Sequence, residues 1–324
     1  MDQMHRLWEK LKNDRRYWAI AAAVVVVLAA ITLARPGALL RPGVPRVVDR
    51  DPIPEPTLRV FFHDTGEIRH MPMEEYLMGV VAAEMDPNWP RQALAAQAII
   101  ARTFTMRKLE AGGVAHRNAD ASTDPEEFQA YDAGRINDNV RGAVQATRGE
   151  IITHQGRPIL AWFHASSGGR TATAEEGLGF TGEPTPYIRS ISDLEETDDI
   201  RWSREFTAAQ IMQAAAKLGV PGGALESIRE GKKGPSGRLT TLVINGREVP
   251  APDFRLAIGS SLMRSTLIDD IRHDGNTVTM RGRGFGHGVG MSQWGAWVMA
   301  QRGRSAEEIV GFYYHNILIE RFWR

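Results

Sequence analysis

Residues 17–34 (YWAIAAAVVVVLAAITLA) form an uncharged apolar run of 18 residues, and the sequence holds no second run like it. A helix needs about 17–25 such residues to cross a bilayer. Five basic residues precede the run, and the positive-inside rule places a basic flank in the cytoplasm. We therefore expect a cytoplasmic tail at 1–16, a single membrane-spanning helix at 17–34 and the remainder outside. The alternative is a signal peptide cleaved after Ala34, although the run exceeds the ~7–15 residues of a signal core.

The stretch 35–57 carries six prolines and no hydrophobic period. This composition is typical of a stiff, extended spacer. We therefore expect residues 58–324 to form the folded region, held away from the membrane.

Helix and strand patterns alternate irregularly through the folded region. Periodicity, proline starts and glycine stops predict helices at 73–85, 90–112 and 206–218, and two more after Ser292 and Ser305. Strands are predicted at 58–62, 150–154, 159–164, 239–244, 267–273 and 277–281. Because no regular strand–helix–strand repeat connects them, the predicted fold class is α+β.

Composition excludes several kinds of function. The 39 basic and 39 acidic residues give a formal net charge of zero, so no global field attracts nucleic acid and we expect no nucleic-acid partner. The chain has no cysteine, which excludes disulfides, thiolate nucleophiles and cysteine-ligated zinc. No HExxH pattern occurs among its histidines. We therefore expect catalysis without a metal or cofactor.

Glu84 is the most informative single residue. It lies three, four, seven and eight positions after the apolar side chains at 81, 80, 77 and 76 and shares their helix face. Desolvation on such a face raises the pKa of a carboxyl group, which suits a general acid near neutral pH. The alternatives are that Glu84 ends the helix in solvent or pairs with an arginine.

Two further polar residues lie on the next predicted helix. Arg102 shares a face of small and apolar residues with Ala95 and Ile99, and a permanent cation there requires an anion. That anion is either Glu84 or a substrate group. Gln97, inside the run AALAAQAIIA, has the same two interpretations.

Two glycine-containing turns display polar side chains. His164 and Ser166 precede Gly168-Gly169, but the spacing is not that of a nucleophile elbow, so a tight turn is favoured over a serine hydrolase. His287 lies among five glycines between 282 and 290. No strand is predicted after them, which excludes a dinucleotide-binding loop and favours backbone that passes close to a substrate or to the core.

Long stretches of the sequence resemble the stage II sporulation protein D family, which includes the amidase enhancers. The resemblance is carried by MPMEEYLMGVVAAEMDPNWPRQALAAQAIIARTF, by GRGFGHGVGMSQWGAWVMAQRGRSAEEIVGFYYHN, and between them by FHASSGG and PYIRSISD. It covers residues 58–322. It implies a bacterial cell-wall protein and, for the sporulation type, a lytic transglycosylase that cleaves peptide-stripped glycan strands during engulfment, with a glycan-binding cleft.

The resemblance also implies site residues. The family's catalytic glutamate corresponds to Glu84 and its functional arginine to Arg102, and a functional tyrosine corresponds to Tyr187. The sequence departs from the family at Ala95, where many members have lysine. We expect Glu84 to be catalytic and the following residues to bind substrate: Arg102, Gln97, Tyr187, His164, Ser166, His287, Ser292 and Gln293.

Partners and location follow from the same resemblance. It implies a membrane-anchored protein that acts outside the cytoplasm on peptidoglycan glycan strands, facing the septum or forespore if the organism sporulates. The implied protein partners are a peptide-removing amidase and a polytopic membrane protein of the engulfment complex. The alternative is a non-catalytic module that binds glycan or recruits a cell-wall amidase, and Ala95 is the residue that makes it worth testing.

Overall fold

The computed structural model describes residues 44–195 and 200–324. The α-helices of this part are α1 (Met73–Glu84), α2 (Arg91–Glu110), α3 (Asp138–Ala146), α4 (Ala174–Leu178), α5 (Ala208–Ala216), α6 (Ala251–Ile258), α7 (Gln293–Gln301) and α8 (Ala306–Tyr313). The strands are β1 (Val47–Asp49), β2 (Thr57–Phe62), β3 (Glu67–Pro72), β4 (Ala121–Ser122), β5 (Glu150–His154), β6 (Arg157–Pro158), β7 (Phe163–His164), β8 (Arg201–Thr207), β9 (Ile228–Glu230), β10 (Thr241–Ile244), β11 (Arg247–Pro250), β12 (Ile268–Asp274), β13 (Thr277–Arg283), β14 (Met291–Ser292) and β15 (Leu318–Arg321).

The larger core is built around α2. Its residues 93–103 are all buried, and most of them are alanine or isoleucine. Small side chains let neighbouring backbones approach closely, so α1, α3, α7, α8 and β5 all contact this one helix. Two sheets complete this core, one in the order β3-β2-β4 and one in the order β1-β15-β5-β6.

A smaller, separate core is formed by residues between Trp202 and Met280. It contains the sheets β12-β13-β8 and β11-β10-β9, with α5 and α6 in contact. The chain returns from this lobe to the larger core through the glycine-rich stretch and β14. Because β14 pairs in parallel with β7, His164 is brought opposite Ser292.

Most predicted elements are confirmed. Strand β2 and both helices α1 and α2 lie close to where alternation, periodicity and the prolines at 72 and 90 predict them. The predicted helix 206–218 is shorter than expected, because the residues before it belong to β8 and Thr207 caps the helix. The predicted strand 159–164 is mostly irregular, with only Phe163 and His164 in a ladder.

The predicted fold class joined a membrane-spanning helix to an α+β region, and the structure corrects it. The described residues mix helices and strands, but none of their helices is long and apolar enough to cross a membrane. Even α2, with 20 residues, carries arginine, lysine and glutamate side chains. The stretch 17–34, from which the span was predicted, lies outside the described residues.

The last residues of the predicted spacer pack on the fold. Val47–Asp49 pair in parallel with β15, and the Ile53 N–H donates to the Phe322 carbonyl at 2.8 Å. The Glu55 carboxylate accepts the N–H of Glu74 at 2.8 Å, in the first turn of α1. The folded region therefore includes residues that the proline content assigned to the spacer.

The glycine-rich stretch passes close to the core, as one of the two interpretations given above requires. Gly290 has φ +74°, and a Cβ added there would overlap the carbonyl oxygen of Trp162.

We expect Gly290→Ala to lower the free energy of unfolding by more than about 2 kcal/mol, since it combines left-handed backbone with overpacking. Gly275 also has positive φ but no heavy atom near its added Cβ, so Gly275→Ala isolates the backbone cost. Equal losses for both variants in urea unfolding would contradict the close packing.

Candidate active site

Glu84 is the last residue of α1, and its side chain is only partly exposed. Its Oε1 accepts the backbone N–H of Ala130 at 2.9 Å. Among the described residues, no cation pairs with the carboxyl group and Oε2 has no hydrogen-bond partner. Burial raises the pKa of Glu84 to about 7, despite the opposing effect of the Ala130 N–H. Glu84 also lies at the negative, C-terminal end of the α1 dipole, which raises its pKa further.

Two predicted glutamines lie beside Glu84. The Nε2 group of Gln293, at the start of α7, donates to the Glu84 carbonyl oxygen at 3.0 Å and to Oε1 of Gln97 at 3.4 Å. Gln97 is fully buried, and its own Nε2 has no hydrogen-bond partner in the described part of the chain. The structure therefore joins residues from α1, α2 and α7 around the end of α1.

Arg102 lies elsewhere, on the face of α2 that packs against the start of α1. It is fully buried, and its Nε and Nη2 donate to the Glu74 carboxylate at 3.0 and 2.6 Å. A third donor, Nη1, reaches the Glu150 carbonyl oxygen at 3.0 Å. The anionic partner is thus Glu74 rather than Glu84. With no exposed surface, Arg102 is placed as a structural group and not in a substrate cleft.

Ser166 and Ser292 meet at a buried carboxylate that sequence reasoning missed. Their hydroxyl groups donate to Glu195, at 3.1 Å to Oε1 and 3.2 Å to Oε2. Ser167 also donates to Oε1, at 2.7 Å. Burial and the neighbouring Asp193 carboxylate raise the pKa of Glu195, while the hydrogen bonds from Ser167, the Gly169 N–H and Ser166 oppose the rise. Ser292 and Gln293 are consecutive, so one chain segment contacts both glutamates.

His164 and His287 form a neighbouring pair, with ring centroids 5.7 Å apart. Nδ1 of His164 lies 3.1 Å from the Val289 carbonyl oxygen, and Nδ1 of His287 accepts the Val289 N–H at 3.0 Å. Burial, together with Arg255 and Arg238, lowers the pKa of His287 to about 3. Burial and His287 lower the pKa of His164 as well. Both rings are therefore neutral at pH 7.

Tyr187 and Ala95 lie apart from this cluster. The Tyr187 hydroxyl accepts the N–H of Leu160 at 3.1 Å, and its ring centroid lies 5.5 Å from that of His154. Ala95 is 3% exposed within the core. A lysine at position 95 would therefore need different packing around α2.

Sequence reasoning missed three groups that shape this region. Glu74 shares a helix face with Leu77 and Val81, so its spacing carried the same signal that identified Glu84. Glu195 and the fully buried Arg238 occur in polar stretches with no period to mark them. No group of three metal-ligating side chains is positioned to hold an ion within residues 44–195 and 200–324.

Comparison with known proteins identifies the family. A family model described as stage II sporulation protein matches residues 62–154, and one described as a domain of unknown function matches 187–290. Stage II sporulation protein D of Bacillus amyloliquefaciens is 31% identical over 291 residues, 85% of this chain and 81% of the relative. The Bacillus subtilis protein of the same name is 32% identical over 270 residues, 78% and 75% of the two chains.

A more distant relative is the amidase enhancer of Bacillus subtilis, which is 25% identical over 290 residues, 74% of this chain and 39% of that protein. The identities and coverage of the two sporulation proteins are sufficient to assign the family. The chain belongs to the stage II sporulation protein D family.

Proposed function

We propose that this protein is a lytic transglycosylase of sporulation, which cleaves peptide-stripped glycan strands between N-acetylmuramic acid and N-acetylglucosamine. Family membership supports a role in sporulation and at the cell wall. The observation that carries the enzymatic proposal is Glu84, a carboxyl group whose pKa is raised to about 7 by burial and which has one oxygen without a partner among the described residues. Such a group is protonated often enough near neutral pH to act as a general acid.

A single carboxyl group is sufficient for both proton transfers. Neutral Glu84 donates its proton to the bridging oxygen as the bond from that oxygen to C1 of the muramyl residue breaks. The 6-hydroxyl of the same muramyl residue then attacks C1, and the Glu84 carboxylate accepts the hydroxyl proton. The products are a 1,6-anhydro-muramyl end and a free 4-hydroxyl on the leaving sugar. Glu84 returns to its neutral form without water being consumed.

The requirement for the 6-hydroxyl tests this reaction against hydrolysis. We expect the full chain to cleave stripped strands and to leave strands that are O-acetylated at the muramyl 6-position intact, since these have no internal nucleophile. Product formation is followed by liquid chromatography. Cleavage of both substrates with reducing ends would show that water is the nucleophile and would refute the transglycosylase proposal.

The pKa of Glu84 predicts the pH dependence of the rate. Because the reaction starts from the protonated form, we expect kcat/KM to fall about tenfold per pH unit above about pH 7. A rate profile in a constant-ionic-strength buffer series measures this. A profile that is flat between pH 6 and pH 9 would exclude Glu84 as the proton donor.

The amidase enhancer relative favours a second candidate, in which the protein binds glycan and promotes an amidase without cutting. Under this alternative, Glu84→Gln retains the biological effect. Sporulation of a strain that carries Glu84→Gln therefore separates the two candidates.

The proposed substrate also defines location and partners. Peptidoglycan lies outside the cytoplasmic membrane, so the folded region acts there. An amidase that removes stem peptides supplies the substrate, and a polytopic membrane protein of the engulfment machinery is the second proposed partner. Co-purification of the full chain with these proteins from sporulating cells tests both.

A further inference from the structure

Two adjoining cavities form a groove beside the C-terminal half of α2. The first, of about 530 Å³, is lined on one side by α2 and on the other by residues 157–162 and 180–183. The second, of about 450 Å³, continues past residues 154–159 to Tyr187. Arg107, Arg157 and Glu183 line both cavities. We call this continuous depression the α2 groove.

Of the three cationic side chains that line the α2 groove, one is paired with carboxylates and two have no such partner among the described residues. Arg107 is held by the Glu183 carboxylate, with Nη2 2.7 Å from both oxygens, and lies 3.5 Å from Glu110. These are the two acidic residues of the lining. Within residues 44–195 and 200–324, no carboxylate pairs with the other two cations, Lys108 and Arg157. The groove therefore offers two positive charges to a ligand.

Aromatic rings lie beside these cations. Phe104, Trp162 and Phe180 line the first cavity, with the Trp162 and Phe180 rings 5.0 Å apart, and all three are partly exposed. The Lys108 ammonium lies 5.6 Å from the Phe104 ring centroid. Aromatic faces pack against the apolar faces of ligand rings, while cations recognise anionic substituents. The combination suits a ring that carries a carboxylate.

The groove and the Glu84 cluster lie along one face of α2. Gln97, beside Glu84, is seven residues before Phe104 and eleven before Lys108, a spacing that repeats the same helix face. Seven residues correspond to about 10 Å along a helix axis. Glu84 lines neither cavity. The groove is thus a separate surface, lined by the C-terminal half of the helix whose buried N-terminal half holds Gln97.

We infer that the α2 groove is a glycan subsite that recognises the free lactyl carboxylate of a muramyl residue, through Arg157 and Lys108 beside the aromatic rings. This inference rests on the proposed function for the identity of the ligand. Removal of a stem peptide by an amidase exposes this carboxylate, so the groove distinguishes stripped strands from strands that still carry peptides. It makes Arg157 and Lys108 specificity-determining residues remote from the bond that is cut.

Binding to chemically altered strands tests the inference. The full chain with Glu84→Gln, which is expected not to cut, is titrated with stripped strands and with the same strands whose carboxyl groups are converted to methylamides. We expect the methylamide strands to bind about tenfold more weakly, since they lose a charge-assisted hydrogen bond. Adding Arg157→Glu should weaken binding of the native strands and abolish the preference. The matched control is Arg229→Glu, at an exposed arginine in the smaller lobe. This variant should retain the preference for native strands over methylamide strands.

The outcomes separate this inference from the proposed function. Equal binding of native and methylamide strands, or a preference that survives Arg157→Glu, would overturn the groove assignment even if cleavage is confirmed. Tighter binding of peptide-bearing strands would also overturn it and would assign the groove to the stem peptide. Conversely, a carboxylate preference that depends on Arg157 supports the groove even if no 1,6-anhydro ends are ever formed. Because Arg157 is exposed, its substitution is not expected to unfold the chain.

Discussion

Glu84→Gln is expected to lower kcat on stripped glycan strands about a thousandfold or more while leaving binding of the strands nearly unchanged. Glutamine keeps the shape of the side chain and the acceptor for the Ala130 N–H, but it has no acidic proton to transfer to the substrate. General acid–base catalysis contributes about 10²–10⁴-fold, and Glu84 is proposed to act in both proton transfers. Initial rates of strand shortening and titration of binding measure the two effects separately.

The matched control is Glu75→Gln, which makes the same chemical change on the exposed face of α1. We expect its activity to equal that of the parent chain. If Glu84→Gln cuts strands at the parental rate, the proton donor is another group. If Glu75→Gln also loses activity, the loss reflects a change in net charge rather than general acid chemistry.

Glu84→Gln is also expected to change how the free energy of unfolding depends on pH. The pKa of Glu84 is raised from 4.5 to about 7 in the folded chain. Its stabilising contribution is therefore present below about pH 4.5 and is lost as pH rises through about 7. Glutamine does not titrate, so Glu84→Gln should match the parent at pH 4 and exceed it by up to about 3 kcal/mol at pH 9. Urea unfolding at the two pH values measures this difference; equal stabilities at pH 9 would contradict the raised pKa of Glu84.

Disruption of the buried pair between Arg102 and Glu74 is expected to have the largest effect on folding. Glu74 accepts hydrogen bonds from Arg102, from the Gly149 N–H at 3.0 Å and from Nε1 of Trp323 at 2.9 Å. It thus connects α1, α2, the start of β5 and the C-terminus. Removing one partner leaves an uncompensated buried charge, which costs about 3–5 kcal/mol. We expect Arg102→Ala and Glu74→Gln each to lose about this much free energy of unfolding.

Activity measurements decide whether Arg102 only stabilises the folded structure or also binds substrate. At a low temperature at which the variant remains folded, we expect the activity of Arg102→Lys per folded molecule to stay close to that of the parent. The control for stability is Arg69→Ala, which breaks an exposed pair with Glu67 and should cost less than about 1 kcal/mol. A stable, folded but inactive Arg102 variant would instead support the substrate-binding role implied by the family resemblance.

Several features could be predicted from the sequence because they depend on local signals. Helix α1 follows from Pro72 and its apolar face, and that same face identified Glu84. Helix α8 begins after Ser305 as predicted, and a capping box joins Ser305 to Glu308. The cation at Arg102 requires an anion, but α1 carries three glutamates, Glu74, Glu75 and Glu84. Only the packing of α1 against α2 selects Glu74.

The remaining features depend on contacts between distant parts of the chain. β8 was missed because its ladder partner β13 lies more than seventy residues later and its alternation of charged side chains is weak. Glu195 is made significant by Ser166, in the turn after β7, and by Ser292, in β14, which are distant in sequence and both donate to its carboxylate. The prolines of residues 45–56 hide the start of the fold, because this segment is ordered by its distant partners β15 and α1.

The central claim is that Glu84 supplies the proton for a cleavage that leaves 1,6-anhydro ends. The most direct measurement incubates the full chain, with and without Glu84→Gln, with stripped glycan strands and analyses the products by mass spectrometry. We predict fragments 18 mass units lighter than hydrolysis products, the mass of one water, formed by the parent and not by Glu84→Gln. Strands that both proteins bind and neither cuts, or cuts that the two proteins make equally, would contradict the claim.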